Sequence, residues 1–186
     1  MTGQYPWKGI LGGDGMEVQI DNRNPNIVFT GSQFGFYARL DLDTGKRKSI
    51  KPIHELGNSP FRFNWQTPIL LSPHNHDVLY LGSNFLHKST NQGDDWQTIS
   101  EDLTTGGKKG NVPYGTITTI SESPVKEGVL YTGSDDGLVY VSKNSGKTWK
   151  NISGNLPKEL WISNIYSSNH DEKVVYLSLD GYRWDN

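Results

Sequence analysis

The chain has 186 residues, of which 18 are Lys or Arg and 20 are Asp or Glu, for a formal net charge of −2. This balance predicts no electrostatic surface for nucleic acid and no polybasic anchor, and no apolar run is long enough to predict membrane insertion. The absence of cysteine excludes disulfides, thiolate catalysis and cysteine-based zinc sites. Glycine, proline and aromatic residues are plentiful and no long segment has helical periodicity, so we expect an all-β chain of short strands.

Four similar segments recur along the chain and predict one strand of a repeating unit. Three of them share a glycine, and Gly31, Gly82 and Gly133 are spaced by 51 residues. The segments are NIVFTGS at 26–32, DVLYLGS at 77–83, GVLYTGS at 128–134 and KVVYLSL at 173–179.

The same predicted elements flank each copy in chain order. A strand precedes it in MEVQID (16–21), TPILLSP (67–73), TITTISE (116–122) and ISNIYSS (162–168). A third strand follows in FYARLD (36–41), FLHKST (85–90) and LVYVSK (138–143), and a turn then leads to a fourth strand. Four short strands in about 45 to 51 residues are typical of a β-propeller blade.

We therefore predict a single partial β-propeller over residues 1–186, made of four-stranded antiparallel blades. The blades are expected at approximately 12–50, 66–100 and 115–153, followed by an incomplete blade at 161–186. Since a closed propeller needs at least four blades and usually more, we expect the chain to be a piece of a larger propeller. Open strand edges would then favour self-association of the isolated chain.

The turn before the fourth strand has the same pattern twice, STNQGDDW at 89–96 and SKNSGKTW at 142–149. The pattern combines an Asn that can bond backbone amides, a Gly that allows positive φ and a Trp that can bury its ring between strands. These residues are Asn91, Gly93 and Trp96 in one copy and Asn144, Gly146 and Trp149 in the other. The same turn could hold calcium or another ligand, but turn chemistry explains every residue in it, so we expect a structural role and no metal or cofactor.

Segments 62–100 and 133–153 resemble the BNR, or Asp-box, repeat proteins of bacteria, a group described as sortilin-like or "glycosyl hydrolase" proteins. The segments GGDGMEVQID at 12–21 and YLSLDGYRWDN at 176–186 are similar to the same group. Its turn motif is Ser-x-Asp-x-Gly-x-Thr-Trp, and Asn takes the Asp place in both copies here. The resemblance implies a β-propeller with Asp-box turns and a large extracellular or periplasmic protein.

Binding is expected where the long blade-to-blade crossings, at 51–66, 100–115 and 154–161, meet the loops between second and third strands, because long loops on a rigid scaffold commonly bind ligands. Aromatic rings there would stack on sugars, and charged groups would orient hydroxyls or carboxylates. Alternatively, Trp65 and Trp161 only anchor the crossings, and Asp180 and Arg183 form a salt bridge at the rim. The candidate binding residues are Arg62, Asn64, Trp65, Tyr114, Trp161, Asp180, Arg183 and Trp184.

Catalytic residues are not assigned by the sequence. Asp135 and Asp136 are adjacent, so their side chains diverge and do not oppose each other across a substrate. The segment YLSLDGYRWD resembles the Asp-bearing segment of xyloglucanase-type propeller hydrolases, which makes Asp180 the catalytic candidate, without an identifiable partner. His74 and His76 have no third metal ligand in reach.

Three functions remain open at this point. The first is a non-catalytic binding or scaffold module with a glycan or protein ligand. The second is part of a xyloglucanase- or sialidase-like glycoside hydrolase whose catalytic residues lie partly outside this chain. The third is a purely structural stretch of a larger surface protein.

Overall fold

The structure is a computed structural model that describes residues 9–110 and 112–181. Over these residues it has fourteen β-strands in three four-stranded sheets and one two-stranded sheet, all antiparallel. No helix in the described ranges is long and apolar enough to cross a membrane. The prediction of an all-β chain built from four-stranded antiparallel sheets is confirmed.

Each sheet is a meander in which consecutive strands pair. The first sheet contains β1 (Val18–Ile20), β2 (Ile27–Ser32), β3 (Phe36–Asp41) and β4 (Arg47–Ser49). The second contains β5 (Ile69–Leu71), β6 (Leu79–Gly82), β7 (Leu86–Ser89) and β8 (Gln97–Thr98). The third contains β9 (Ile117–Glu122), β10 (Leu130–Ser134), β11 (Val139–Ser142) and β12 (Lys150–Asn151). The fourth pairs β13 (Trp161–Ser167) with β14 (Val175–Asp180).

Consecutive sheets pack face to face, and a separate apolar cluster fills each interface. Because a middle strand such as β10 lies between two other sheets, both of its faces are buried. The first strands of neighbouring sheets lie side by side, with β1 next to β5, β5 next to β9 and β9 next to β13. The central members of the three clusters are Phe29, Tyr37, Leu79 and Leu81; Tyr80, Leu86, Ile117 and Leu130; and Tyr131, Val139, Ile162 and Ile165.

At Gly82 and Gly133, the repeated glycine is explained by the close approach of the next sheet. A β-carbon on Gly82 would lie 2.9 Å from Ile117 Cγ2, and one on Gly133 would lie 2.5 Å from Ile162 Cγ2. At Gly31 the close neighbour is instead the ring of Tyr37, on the adjacent strand β3 of the same sheet, at 2.6 Å. Glycine leaves room for these side chains, and at Gly82 and Gly133 it allows the next sheet to pack closely.

Candidate functional site

The two Ser-x-Asn-x-Gly-x-x-Trp turns have the same internal hydrogen bonds. In the first, Gly93 N donates to Ser89 Oγ at 2.8 Å, and Asp95 N donates to Asn91 Oδ1 at 2.9 Å. In the second, Gly146 N donates to Ser142 Oγ at 2.9 Å, and Thr148 N donates to Asn144 Oδ1 at 2.9 Å. The Asn side chain therefore closes each turn by accepting a backbone amide, as Asx turns do.

Both turns also form hydrogen bonds with the end of the preceding sheet. Trp96 Nε1 donates to the carbonyl oxygen of Ile50 at 2.7 Å, and Trp149 Nε1 donates to that of Ile99 at 2.8 Å. The glycines pack on the same isoleucines, since a β-carbon on Gly93 would lie 2.8 Å from Ile50 Cβ. These turns join third to fourth strands, so they lie at the end of the sheets opposite the long crossings.

At the crossing end, two of the predicted binding residues are already engaged within the protein. Arg62 Nη2 lies 2.7 Å from Asp102 Oδ2, and Arg62 Nε donates to the Gly115 carbonyl oxygen at 3.0 Å. Asn64 is only 1% exposed and donates to Thr116 Oγ1 at 2.8 Å. Both side chains tie the first crossing, between β4 and β5, to the second crossing, between β8 and β9.

Asp135 and Asp136 are buried and have different partners. Asp135 accepts hydrogen bonds from the backbone amides of Gly115 and Thr116 at 3.0 and 2.9 Å, while burial raises the pKa of its carboxyl. Asp136 accepts from the amide of Thr105 at 2.6 Å and from the Ser134 hydroxyl. The two carboxylates hold the second crossing and do not face each other across a cavity.

Ser83 and His87 form another buried pair. Ser83 Oγ lies 2.8 Å from His87 Nε2, and Thr98 Oγ1 lies 3.1 Å from His87 Nδ1. Burial lowers the pKa of His87 to about 4. Because both residues are at most 1% exposed, a substrate cannot reach this pair. The Phe61 ring covers the pair, with its centroid 4.5 Å from the centroid of the His87 ring.

Trp161 and Asp180 lie in a cavity that we call the inner cleft. The two residues are opposite each other in the register of β13 and β14. The cleft has a volume of about 340 Å³ and opens between the first strands of the sheets, at the crossing end. It is lined by Glu17, Gln66, Thr118, Thr119, Trp161, Ser163, Asn164 and Asp180.

The lining of the inner cleft, as far as the described residues form it, is polar apart from the Trp161 ring. Gln66, Ser163 and Asn164 are exposed to it, and Trp161 is half-buried. Glu17 accepts a hydrogen bond from the Ile69 amide at 3.2 Å, and burial raises the pKa of its carboxyl. The cleft therefore offers one aromatic face with amide, hydroxyl and carboxylate groups beside it.

A second cavity at the same end, the lysine groove, has a volume of about 470 Å³. Its distinctive residue is Lys51, whose Nζ donates to the Phe34 carbonyl oxygen at 2.8 Å and lies 3.9 and 4.5 Å from the ring centroids of Phe36 and Phe63. Burial lowers the pKa of Lys51. The groove is lined by Phe34, Lys51, Pro60, Phe61, Arg62, Phe63, Lys108, Gly110, Val112, Pro113 and Tyr114.

The predicted binding residues that the structure describes do not form one site but lie in or beside two cavities. Trp161 and Asp180 line the inner cleft, while Arg62 and Tyr114 line the lysine groove. Trp65 is 45% exposed and packs edge-on against Phe34, with ring centroids 5.1 Å apart. Arg183 and Trp184 lie outside the described residues.

Sequence reasoning missed Glu17 and Gln66 in the cleft and Lys51 and Phe61 in the groove. The repeat itself contained a signal for the first pair, because Glu17 and Gln66 precede aligned first strands and therefore meet at one end. The signal for the second pair was the aromatic run from Phe61 to Phe63 within a basic crossing.

No protein-family model matches the chain. Residues of the chain are 28% identical over 104 positions to the vacuolar protein sorting/targeting protein 10 of Emericella nidulans, an alignment that covers 56% of this chain and 6% of that protein. The chain thus corresponds to a small part of this relative's length.

Solved structures show the fold more fully. An ancestral GH74 enzyme superposes with a TM-score of 0.61 at 18% identity, over 89% of this chain and 22% of that chain. The extracellular domain of a putative one-component system from B. thetaiotaomicron has a TM-score of 0.58 at 16% identity, over 89% and 20%. The GH74 xyloglucanase from Xanthomonas campestris has a TM-score of 0.53 at 15% identity, over 95% and 35%.

These likenesses and the stacked four-stranded meanders define the class: the fold is that of a β-propeller protein. The chain spans between about a fifth and a third of the length of these solved structures. Because these sequence identities are only 15–18%, the similarity shows the fold and not the chemistry of either cavity.

Proposed function

We propose that this chain is a carbohydrate-binding part of an extracellular or periplasmic β-propeller, and that the inner cleft is its binding site. The observation that carries the proposal is the placement of Trp161 and Asp180 in one polar cavity with Gln66, Ser163 and Asn164. A half-buried indole offers a flat apolar face to a sugar ring, while amide and carboxylate groups beside it fix the hydroxyls.

The charge of the cleft favours neutral sugars. Among the described residues, its lining contains the carboxyl groups of Glu17 and Asp180 and no Lys or Arg. Carboxylates accept hydrogen bonds from hydroxyl groups but repel anionic substituents. A neutral oligosaccharide therefore fits this cleft better than an acidic glycan or an acidic peptide does.

The rest of the chain acts as the scaffold of this site. We assign the two Ser-x-Asn-x-Gly-x-x-Trp turns as Asp-box turns of the BNR type with Asn in the Asp position. Their hydrogen bonds and their contacts with Ile50 and Ile99 support a structural role, because the Asn oxygen that could face a ligand already accepts a backbone amide.

A glycoside hydrolase is the second candidate, and one observation favours it. Glu17 and Asp180 line the same cleft, and burial raises the pKa of Glu17, as a general acid requires. In this alternative Glu17 would protonate the leaving group, and Asp180 would act as base or nucleophile. The similarity to GH74 structures belongs to the fold and does not by itself assign this activity.

The binding proposal is tested by calorimetric titration of the full chain with xyloglucan, xylan and mannan oligosaccharides. We expect binding of at least one of them, and a loss of affinity of about tenfold in Trp161→Ala because the stacking face is removed. Trp65→Ala is the matched control, since it removes the same side chain at the same end without altering the cleft. If Trp65→Ala weakened binding and Trp161→Ala did not, the inner cleft would not be the site.

Release of reducing ends separates the two candidates. A binding module leaves all three oligosaccharides intact. A hydrolase cleaves at least one, and both Glu17→Gln and Asp180→Asn would abolish cleavage while leaving binding measurable.

A further inference from the structure

Lys51 is a half-buried cation without an anionic partner in the described part of the chain. Of the described residues, only the Phe34 carbonyl oxygen accepts a hydrogen bond from its Nζ, and no carboxylate lies within 4.0 Å of it. The other two donors of the ammonium have no hydrogen-bond acceptor among the described residues, and the ring faces of Phe36 and Phe63 compensate only part of its lost hydration. Burying a charge without a counter-ion is unfavourable, and binding an anion at this position would relieve that cost.

The walls of the lysine groove combine positive charge with aromatic rings. Of the residues that the structure describes, three cations line it, namely Lys51, Arg62 and Lys108, and no Asp or Glu does. Arg62 is neutralised by Asp102, and Lys108 reaches Glu159 at 3.4 Å across an exposed edge. The aromatic wall includes Phe61 and Tyr114, and Lys108 Nζ lies 4.5 Å from the Tyr114 ring centroid. A complementary ligand therefore carries an anionic group on a ring with an apolar face.

We propose that the lysine groove binds a uronate residue of an acidic polysaccharide, with its carboxylate on Lys51 and its ring against Phe61 or Tyr114. This inference rests on the proposed carbohydrate-binding function, but it concerns a different cavity from the inner cleft. It assigns the chain an acidic glycan as ligand, or a glycan in which neutral and uronate residues alternate. A charge-assisted N–H to carboxylate hydrogen bond supplies the selectivity, because a neutral sugar cannot make it.

The test uses oligogalacturonate and its fully methyl-esterified form, two probes that share a backbone and differ in the carboxylate charge. We expect the full chain to bind oligogalacturonate at least about tenfold more tightly than the ester, the size of effect that one charge-assisted hydrogen bond gives. Lys51→Met should weaken oligogalacturonate binding by a similar factor, because methionine keeps the apolar contacts with Phe36 and Phe63 and removes the charge. Lys51→Arg should retain most of the affinity.

Lys147→Met is the matched control, because it removes the same charge from an exposed position in the turn at the opposite end. Equal affinity for oligogalacturonate and its ester would overturn the inference, and the comparison needs no variant. So would unchanged binding in Lys51→Met, or an equal loss in Lys147→Met, which would indicate a non-specific charge effect.

Two further outcomes separate this inference from the proposed function. If neutral oligosaccharides bound through Trp161 and oligogalacturonate did not bind, the uronate assignment would fail and the inner-cleft site would stand. If polyglutamate bound through Lys51 and oligogalacturonate did not, the groove would be a site for acidic peptides and the inference would be overturned.

Discussion

Gly133→Ala is the sharpest test of how neighbouring sheets pack. The added β-carbon would lie 2.5 Å from Cγ2 and 2.8 Å from Cβ of Ile162, and 2.9 Å from Cγ2 of Thr119. All three atoms belong to buried residues on β-strands, so relief requires the third and fourth sheets to move apart. Overpacking of this kind costs about 1–3 kcal/mol, and the close contact with the rigid Cβ of Ile162 places the expected loss in the upper half of that range.

Urea unfolding of the full chain measures this loss. With a slope of about 2 kcal/mol per molar urea, the midpoint should fall by about 1 M. Gly15→Ala is the control, because no atom lies within 4 Å of the added methyl group. Ile162→Leu moves the branch away from Cβ, so Gly133→Ala combined with Ile162→Leu should recover part of the loss.

Two results would refute the packing argument. A midpoint for Gly133→Ala within the error of Gly15→Ala would show that the sheets do not approach this closely. Strict additivity of Gly133→Ala and Ile162→Leu would show that Ile162 is not the residue with which the new methyl group collides.

Three further predictions concern stability and assembly. Trp96 and Trp149 are only partly buried, so Trp96→Ala and Trp149→Ala should each lower the free energy of unfolding by about 2–4 kcal/mol in denaturant melts, somewhat less than a fully buried tryptophan, and losses below about 1 kcal/mol would contradict the structural role of the turns. Because the folded-state pKa of His87 is about 4 and its ordinary value is 6.5, the unfolded chain binds the proton first as the pH falls. Stability is then present above pH 6.5 and should decrease by about 3 kcal/mol towards pH 4 relative to His87→Gln, a difference that pH-dependent unfolding would reveal. The isolated chain should self-associate in sedimentation experiments, since Val18 and Tyr176 are 48% and 63% exposed on the two terminal sheets, and a monomer at all concentrations would contradict this.

The sheets were predictable because their determinants are local and repeated. Alternating apolar residues and the recurrence of Gly31, Gly82 and Gly133 mark the repeat along the chain, and the turn residues Asn91 and Asn144 act within a few positions of the chain. The physical role of Gly133 was not predictable, since its neighbour Ile162 comes from the next sheet.

The candidate sites were less predictable because they depend on contacts between distant segments. Asn64 looked available for binding, but its amide is buried against Thr116, 52 positions away. A single lysine such as Lys51 did not indicate a binding site in the sequence, because its position between the rings of Phe36 and Phe63 becomes apparent only in the structure. Trp161 was recognised from its place in a crossing, although only the structure shows that Glu17 shares its cavity.

Binding of a neutral glycan in the inner cleft is tested most directly by measuring one oligosaccharide affinity in the wild type, Trp161→Ala and Trp65→Ala. The cleft geometry predicts measurable binding in the wild type, a loss of about tenfold in Trp161→Ala and little change in Trp65→Ala. No binding to any neutral oligosaccharide, or equal affinity in the wild type and Trp161→Ala, would contradict it.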